Sequence, residues 1–155
     1  MLEQAVVTDK PVHVEQIFIN ATPEQVWEAI TDPDFTSQFF FNGRVKSDFT
    51  AGASLSYIDQ RDGSLQIEGI VVEADAPRRL VLDEKYVWDP NVAADPVHRE
   101  IWELEPAGAM CKLTVSIYEV ALDCATMRSI VGGLPLIVSG LKTLLETGHP
   151  LPPTR

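Results

Sequence analysis

His98 and Glu100 stand two residues apart in the run His98-Arg99-Glu100-Ile101-Trp102-Glu103-Leu104. A strand puts alternate residues on one side, so His98, Glu100, Trp102 and Leu104 share a face. With Trp102 and Leu104 turned to a core, the imidazole and the carboxylate point into the same space nearer its rim. There they could work as a general acid and base. The alternative is a polar strand end facing water. Of the other histidines, His13 opens the first strand, and His149 lies beside Pro150 where solvent is expected. Asp89 and Asp95 each precede a proline; they could hold a cation, but Asp-Pro is also a plain turn starter, and the turn is preferred.

Aromatic residues form the second group. Tyr57, Tyr86, Trp88 and Tyr118 fall on or beside candidate strands. Rings with a hydroxyl or N–H handle suit the wall of a pocket for a mainly apolar ligand, with ordinary core packing as the alternative. Phe39-Phe40-Phe41 cannot all face one core from regular structure, so at least one should line a pocket, cap an opening or sit in an interface. Trp27, Trp102, Met127, Val131 and Leu134 complete the expected pocket set with Phe39, Phe40, Phe41, Tyr57, Tyr86, His98 and Glu100. No glycine-rich phosphate loop, Gly-x-Ser-x-Gly or His-Glu-x-x-His occurs, and no Cys/His cluster points to zinc. No cofactor, metal or assigned catalytic residue is expected.

The 155 residues carry 12 Lys and Arg against 23 Asp and Glu, a net charge of −11. That balance argues against nucleic acid, which needs a basic face, and against an anionic membrane surface. The first ten residues lack the basic start and apolar run of a signal peptide, and no apolar stretch of membrane-spanning length is read from the sequence. Cys111 and Cys124 read as buried, reduced thiols, which suits a cytoplasmic protein.

The elements that must position these residues follow from periodicity and punctuation. Residues 1–10 are expected to be loosely held, with a single domain over 11–152. Val12–Ile19 alternates as a first strand. Thr22 is a helix N-cap with Pro23 in the first turn, giving a helix over 23–31, and Asp32-Pro33-Asp34 ends it and can start a second turn. Six strands follow: Arg44–Lys46, Ala53–Ile58, Leu65–Glu73, Arg79–Tyr86, His98–Glu105 and Cys111–Val120. Short turns between them predict an antiparallel meander, broken by one longer loop over Trp88–Pro96. Met127, Val131, Leu134, Val138, Leu141 and Leu145 recur at helical spacing and predict a long amphipathic helix stopped at Gly148, with a kink or a later start at Pro135. The order predicts an α+β fold, a curved antiparallel sheet of about seven strands closed around the C-terminal helix. Met127 and Val131, at the kinked end, are then better pocket walls than Leu141 and Leu145.

Three stretches carry a family resemblance: Ile19-Asn20-Ala21-Thr22-Pro23-Glu24-Gln25-Val26-Trp27-Glu28-Ala29-Ile30-Thr31-Asp32-Pro33, Gly69-Ile70-Val71-Val72-Glu73-Ala74-Asp75-Ala76-Pro77-Arg78-Arg79-Leu80, and Gly133-Leu134-Pro135 through Gly148. Over about residues 12–152 the chain resembles the START-like (SRPBCC) superfamily with its helix-grip (Bet v 1-like) fold. Within it, the chain is similar to homologues of the C-terminal domain of the activator of the 90-kDa heat-shock-protein ATPase. It departs from the family at Leu134, usually Trp, and at Ala51-Gly52, often Gly-Gly. The resemblance implies no fixed catalytic motif. Members include lipid and hormone carriers and aromatic polyketide cyclases.

Three functions fit. The first is a protein binding a small hydrophobic or aromatic molecule between sheet and helix. The second is a co-chaperone-like or homodimeric interaction module. The third is a cyclase- or hydratase-type enzyme using His98 and Glu100.

Overall fold

The computed structural model describes residues 10–154. The loose segment expected at 1–10 therefore falls, apart from Lys10, outside the described residues. The element order is β1 (His13–Ile19), α1 (Pro23–Thr31), α2 (Pro33–Phe39), β2 (Gly43–Ser47), β3 (Ser54–Asp59), β4 (Leu65–Asp75), β5 (Arg79–Tyr86), α3 (Pro90–Ala93), β6 (His98–Ala107), β7 (Met110–Tyr118) and α4 (Ala125–Thr147). The seven strands form one antiparallel sheet in the order β1-β7-β6-β5-β4-β3-β2. Strands β2 to β7 are the expected meander. β1 joins the far edge beside β7, and α1 and α2 carry the chain across to β2. With α4 held against the sheet, this is the helix-grip fold.

Local chemistry explains the boundaries. Thr22 caps α1 by accepting from the Gln25 amide at 3.2 Å, while the Gln25 side chain accepts from the Thr22 amide at 2.9 Å, a reciprocal capping box. Asp32 caps α2, with Pro33 in its first turn. α4 ends at Gly148 in the left-handed region (φ 80). β7 stops at Tyr118, short of the expected Val120, because Glu119 adopts φ 62 and turns the chain out of the sheet.

Two expectations need correction. The Trp88–Pro96 loop contains the short helix α3, capped by Asp89, whose side chain accepts from the Asn91 and Val92 amides. Asp95 accepts from the Thr126 amide at 2.8 Å and so ties this loop to the start of α4. Asp89 starts a local turn, as the turn reading has it, whereas Asp95 serves the distant start of α4. Pro135 neither delays nor divides α4. The carbonyl it leaves without a donor belongs to Val131, a half-exposed residue that water can reach.

The core lies between the inner sheet face and the helices. Ile19, Leu113, Val115, Ile117 and Leu141 are fully buried there. By length and composition α4 could cross a membrane, contrary to the reading that no such stretch exists. Here its apolar stripe from Met127 to Leu144 packs in the core. Its far end is pinned to β1: Lys142 Nζ donates to the Phe18 carbonyl at 2.6 Å, and Glu146 accepts from the Asn20 amide at 2.8 Å.

Two glycines set close approaches. Gly69 on β4 lies opposite Glu84 on β5, and a Cβ there would run into the Asp83 carbonyl oxygen. Gly140 on α4 sits against α2, where a Cβ would lie 3.2 Å from the Phe39 Cβ. Gly132, by contrast, has nothing within 4 Å of an added Cβ. Gly69→Ala should therefore destabilise by about 1–3 kcal/mol through overpacking against backbone. Gly132→Ala should stabilise by about 0.5–1 kcal/mol through helix propensity. Chemical denaturation of both variants checks the opposite signs.

Candidate functional site

Three ionisable side chains meet on the inner face of β5 and β6. Glu84 and His98 are direct cross-strand partners, and Glu100 follows His98 on the same side. Their exposures are 2%, 1% and 3%, which rules out the water-facing strand end. Glu100 is the hub. Its Oε2 lies 3.2 Å from His98 Nε2 and accepts from the Tyr86 hydroxyl at 3.1 Å, and its Oε1 accepts from Trp102 Nε1 at 3.2 Å. Glu84 hydrogen-bonds Glu100 as well.

The electrostatics of the two glutamates diverge. Burial first, and then the charge of Glu100, raise the Glu84 carboxyl well above its ordinary value and favour its protonated form. Burial also works to raise Glu100, but the hydrogen bond and charge of His98, followed by hydrogen bonds from Glu84 and Tyr86, outweigh it and hold Glu100 low. Tyr57 and Tyr86 are raised, chiefly by burial and then by these carboxylates. Among the described residues, neither glutamate is ion-paired to Lys or Arg. Arg99, on the alternate face of β6, is bound to Asp83 by two hydrogen bonds of 2.7 and 3.0 Å.

Glu100 and Tyr86 also form part of the wall of a cleft of about 880 Å³ between the sheet and the first half of α4. Phe39, Phe40 and Phe41 all line it. They can do so because the backbone is irregular: α2 ends at Phe39, Phe40 is its C-cap, and Phe41 takes φ 48. Trp88 stacks on Tyr86 with centroids 4.9 Å apart, and Phe40 stacks on Tyr57 at 4.3 Å. Leu134, Ile130 and Ile137 supply the α4 side, and Pro150–Thr154 runs along the rim.

The expected pocket residues divide. Phe39, Phe40, Phe41, Tyr86, Glu100 and Leu134 line the cleft. His98 lies behind Glu100, in edge-to-face contact with Tyr86. Tyr57 and Trp102 instead border a void of about 10 Å³ inside the core. Trp27 packs at the core margin, because α1 lies against β6 and β7. Met127 is a core residue. Val131 is 53% exposed: on an unbroken helix it falls about 100° round from Ile130, past the buried arc. Of the two thiols, Cys111 is buried; Cys124 is half-buried and caps α4, its Sγ accepting from the Met127 amide. Sequence reasoning missed Glu84. The signal was present, because counting back by twos from Tyr86 reaches Glu84, Leu82 and Leu80 on one face.

Comparison with known proteins places this arrangement. The profile of the Activator of Hsp90 ATPase homolog 1-like protein family matches residues 20–146. The chain belongs to that family. Solved structures of the same fold include CalU16 from Micromonospora echinospora (21% identity, TM-score 0.67, covering 90% of this chain and 76% of that one). DynU16, from the dynemicin biosynthetic locus, is 26% identical with a TM-score of 0.72; 88% of this chain is covered, spanning 48% of that one. The Aha1 dimer from Colwellia psychrerythraea is 15% identical with a TM-score of 0.69, covering 87% of this chain and 96% of that one. No functionally curated protein matches significantly.

At the cleft rim, Asp59 accepts from Arg61 Nε at 3.0 Å and Nη2 at 2.7 Å. Arg61 hydrogen bonding pulls the Asp59 carboxyl down to about 2. A depressed folded-state value contributes stability above the ordinary carboxylate range and loses it as pH falls through the folded value. The stability gap between wild type and Asp59→Asn should be constant above pH about 5 and close as pH falls toward 2. Urea unfolding across that range checks it, and a gap unchanged at pH 2 would contradict it.

Proposed function

We propose that this START-like protein holds a small, mainly hydrophobic or aromatic molecule in the cleft between the sheet and α4. The observation that carries the reading is the unfilled space of about 880 Å³ bounded by three successive phenylalanines and by Tyr86 and Glu100. Its size falls in the roughly 300–1,000 Å³ range of small-molecule sites. Its lining joins an aromatic and aliphatic part to a polar one that includes Asp59, Arg61, Gln66, Asp89 and Arg128. Apolar burial supplies affinity at about 25 cal/mol per Å². The Tyr86 hydroxyl and the Glu100 carboxylate orient one polar edge of the ligand. The similarity to DynU16, a putative protein in the dynemicin biosynthetic locus, supports a small molecule over a protein client for this chain. The net charge of −11 disfavours nucleic acid and anionic membranes as partners. Two unpaired thiols suit a reducing, cytoplasmic setting.

Gly132 lines the cleft and has open space around it, so Gly132→Phe fills the cleft without displacing core atoms. Titration with 8-anilinonaphthalene-1-sulfonate should give at least tenfold weaker binding to Gly132→Phe, with no fall in unfolding temperature. Equal affinity for both proteins would remove the reading. Native mass spectrometry of the purified wild type tests it independently through any co-purifying small molecule.

A second reading, self-association, rests on β1. This edge strand pairs only with β7 among the described residues and, with the residue before it, exposes Val12, Val14 and Phe18. The Colwellia relative is a dimer. If β1 mediates pairing, wild type sediments as a dimer and Phe18→Glu as a monomer. A wild type that stays monomeric at high concentration ends this reading.

A further inference from the structure

We propose that Glu84, His98 and Glu100 form a binding site for one divalent transition-metal ion at the inner wall of the cleft. One ligand atom from each residue lies within 4.8 Å of the other two. Two of them, His98 Nε2 and Glu100 Oε2, are 3.2 Å apart, close to the separation of neighbouring ligands around an ion with bonds of about 2.0–2.2 Å. The strand register builds the constellation: a cross-strand pair supplies Glu84 and His98, and the next inward residue on β6 supplies Glu100.

Two independent observations point to a cation. The first is unmet bonding capacity. Glu84 Oε2 and His98 Nδ1 are fully buried and have no hydrogen-bond partner, and a coordinated ion gives the Glu84 oxygen one. The second is the outer shell. Tyr86 and Trp102 each donate to Glu100, fixing its carboxylate as the surroundings of metal ligands do.

One nitrogen and two carboxylate oxygens suit zinc or another first-row divalent ion better than calcium or magnesium, which favour all-oxygen shells. Three protein ligands leave a coordination position open. Of the three ligands Glu100 forms part of the cleft wall, so water or an oxygen of a bound molecule can complete the shell from that side. The site does not depend on what the cleft holds.

The test uses tag-free, chelator-stripped full-length protein and cobalt(II) chloride, followed by visible absorption and by metal analysis after dialysis. The expected result is one cobalt per chain with a saturable d–d band that zinc displaces. Glu84→Gln and His98→Gln should each weaken binding tenfold or more, and Tyr86→Phe should weaken it less. His13→Gln, which alters the half-buried surface pair with Glu15, should leave it unchanged. Should an inner variant fail to fold, zinc titration of wild type followed by imidazole NMR decides: the His98 resonances must shift on binding. Absence of saturable binding in folded protein overturns the proposal. So does binding that ignores Glu84→Gln, or that leaves His98 unmoved.

Discussion

A carboxylate removed from water must find donors or lose its charge, and Glu100 is the place where this chain meets that requirement. Tyr86, Trp102, His98 and Glu84 all converge on it. Leaving a charged group buried without such partners costs several kcal/mol, on the order of a domain's whole stability. The inner faces of β5 and β6 are therefore tied into one register by polar contacts as well as by backbone. The same contacts fix Tyr86, and through stacking Trp88, as the polar and aromatic side of the cleft.

The cleft itself follows from an uneven grip. The second half of α4 is held by fully buried Leu141, by Val138 and Leu144, and by the Lys142 and Glu146 bonds to the end of β1. Gly140 lets this half lie close on α2. Among the described residues, the first half makes no comparable polar bond to a strand. Gly132 and Gly133 present no side chains there, and the helix start is held by the burial of Met127 and Ile130, the Thr126–Asp95 contact, the Cys124 cap and the Arg128 bond to the Asp123 carbonyl. A rod fastened firmly at one end and lightly at the other diverges from a curved wall, and the irregular turn through Phe40 and Phe41 brings aromatic rings into the gap without filling it.

Much of the fold was legible because it is written in local signals: the Thr22 box, the Asp-Pro starts, the Gly148 stop and the period of α4. The six-strand meander followed from short turns. What escaped depends on three dimensions. Pro135 reads as a kink or a later start, yet α4 begins at Ala125, and water at its exposed side can serve the carbonyl the proline orphans. Val131 lies on the apolar stripe by spacing, but the buried arc ends just short of it. Phe39-Phe40-Phe41 shares one space only because its backbone leaves helical geometry at each step. His98 and Glu100 were found as a pair by alternation along one strand. Alternation along β5 puts Glu84 on the inner face, but its pairing with His98 comes from the β5–β6 register, which neither strand encodes alone.

Membership in the activator-homologue family accounts for the sheet and the gripped helix, but it does not say what the cleft beside them is for. That question falls to residues whose presence the fold does not require. An inner strand face needs only apolar side chains to pack, and Leu80, Leu82 and Leu104 meet that need here. Apolar residues at 84, 98 and 100 would satisfy the same packing with no desolvation cost. Three ionisable groups stand there instead, two of them with buried atoms left without partners. A scaffold carries such a burden without benefit to its own stability, so the place to look for this protein's chemistry is the polar wall of the cleft rather than its apolar bulk.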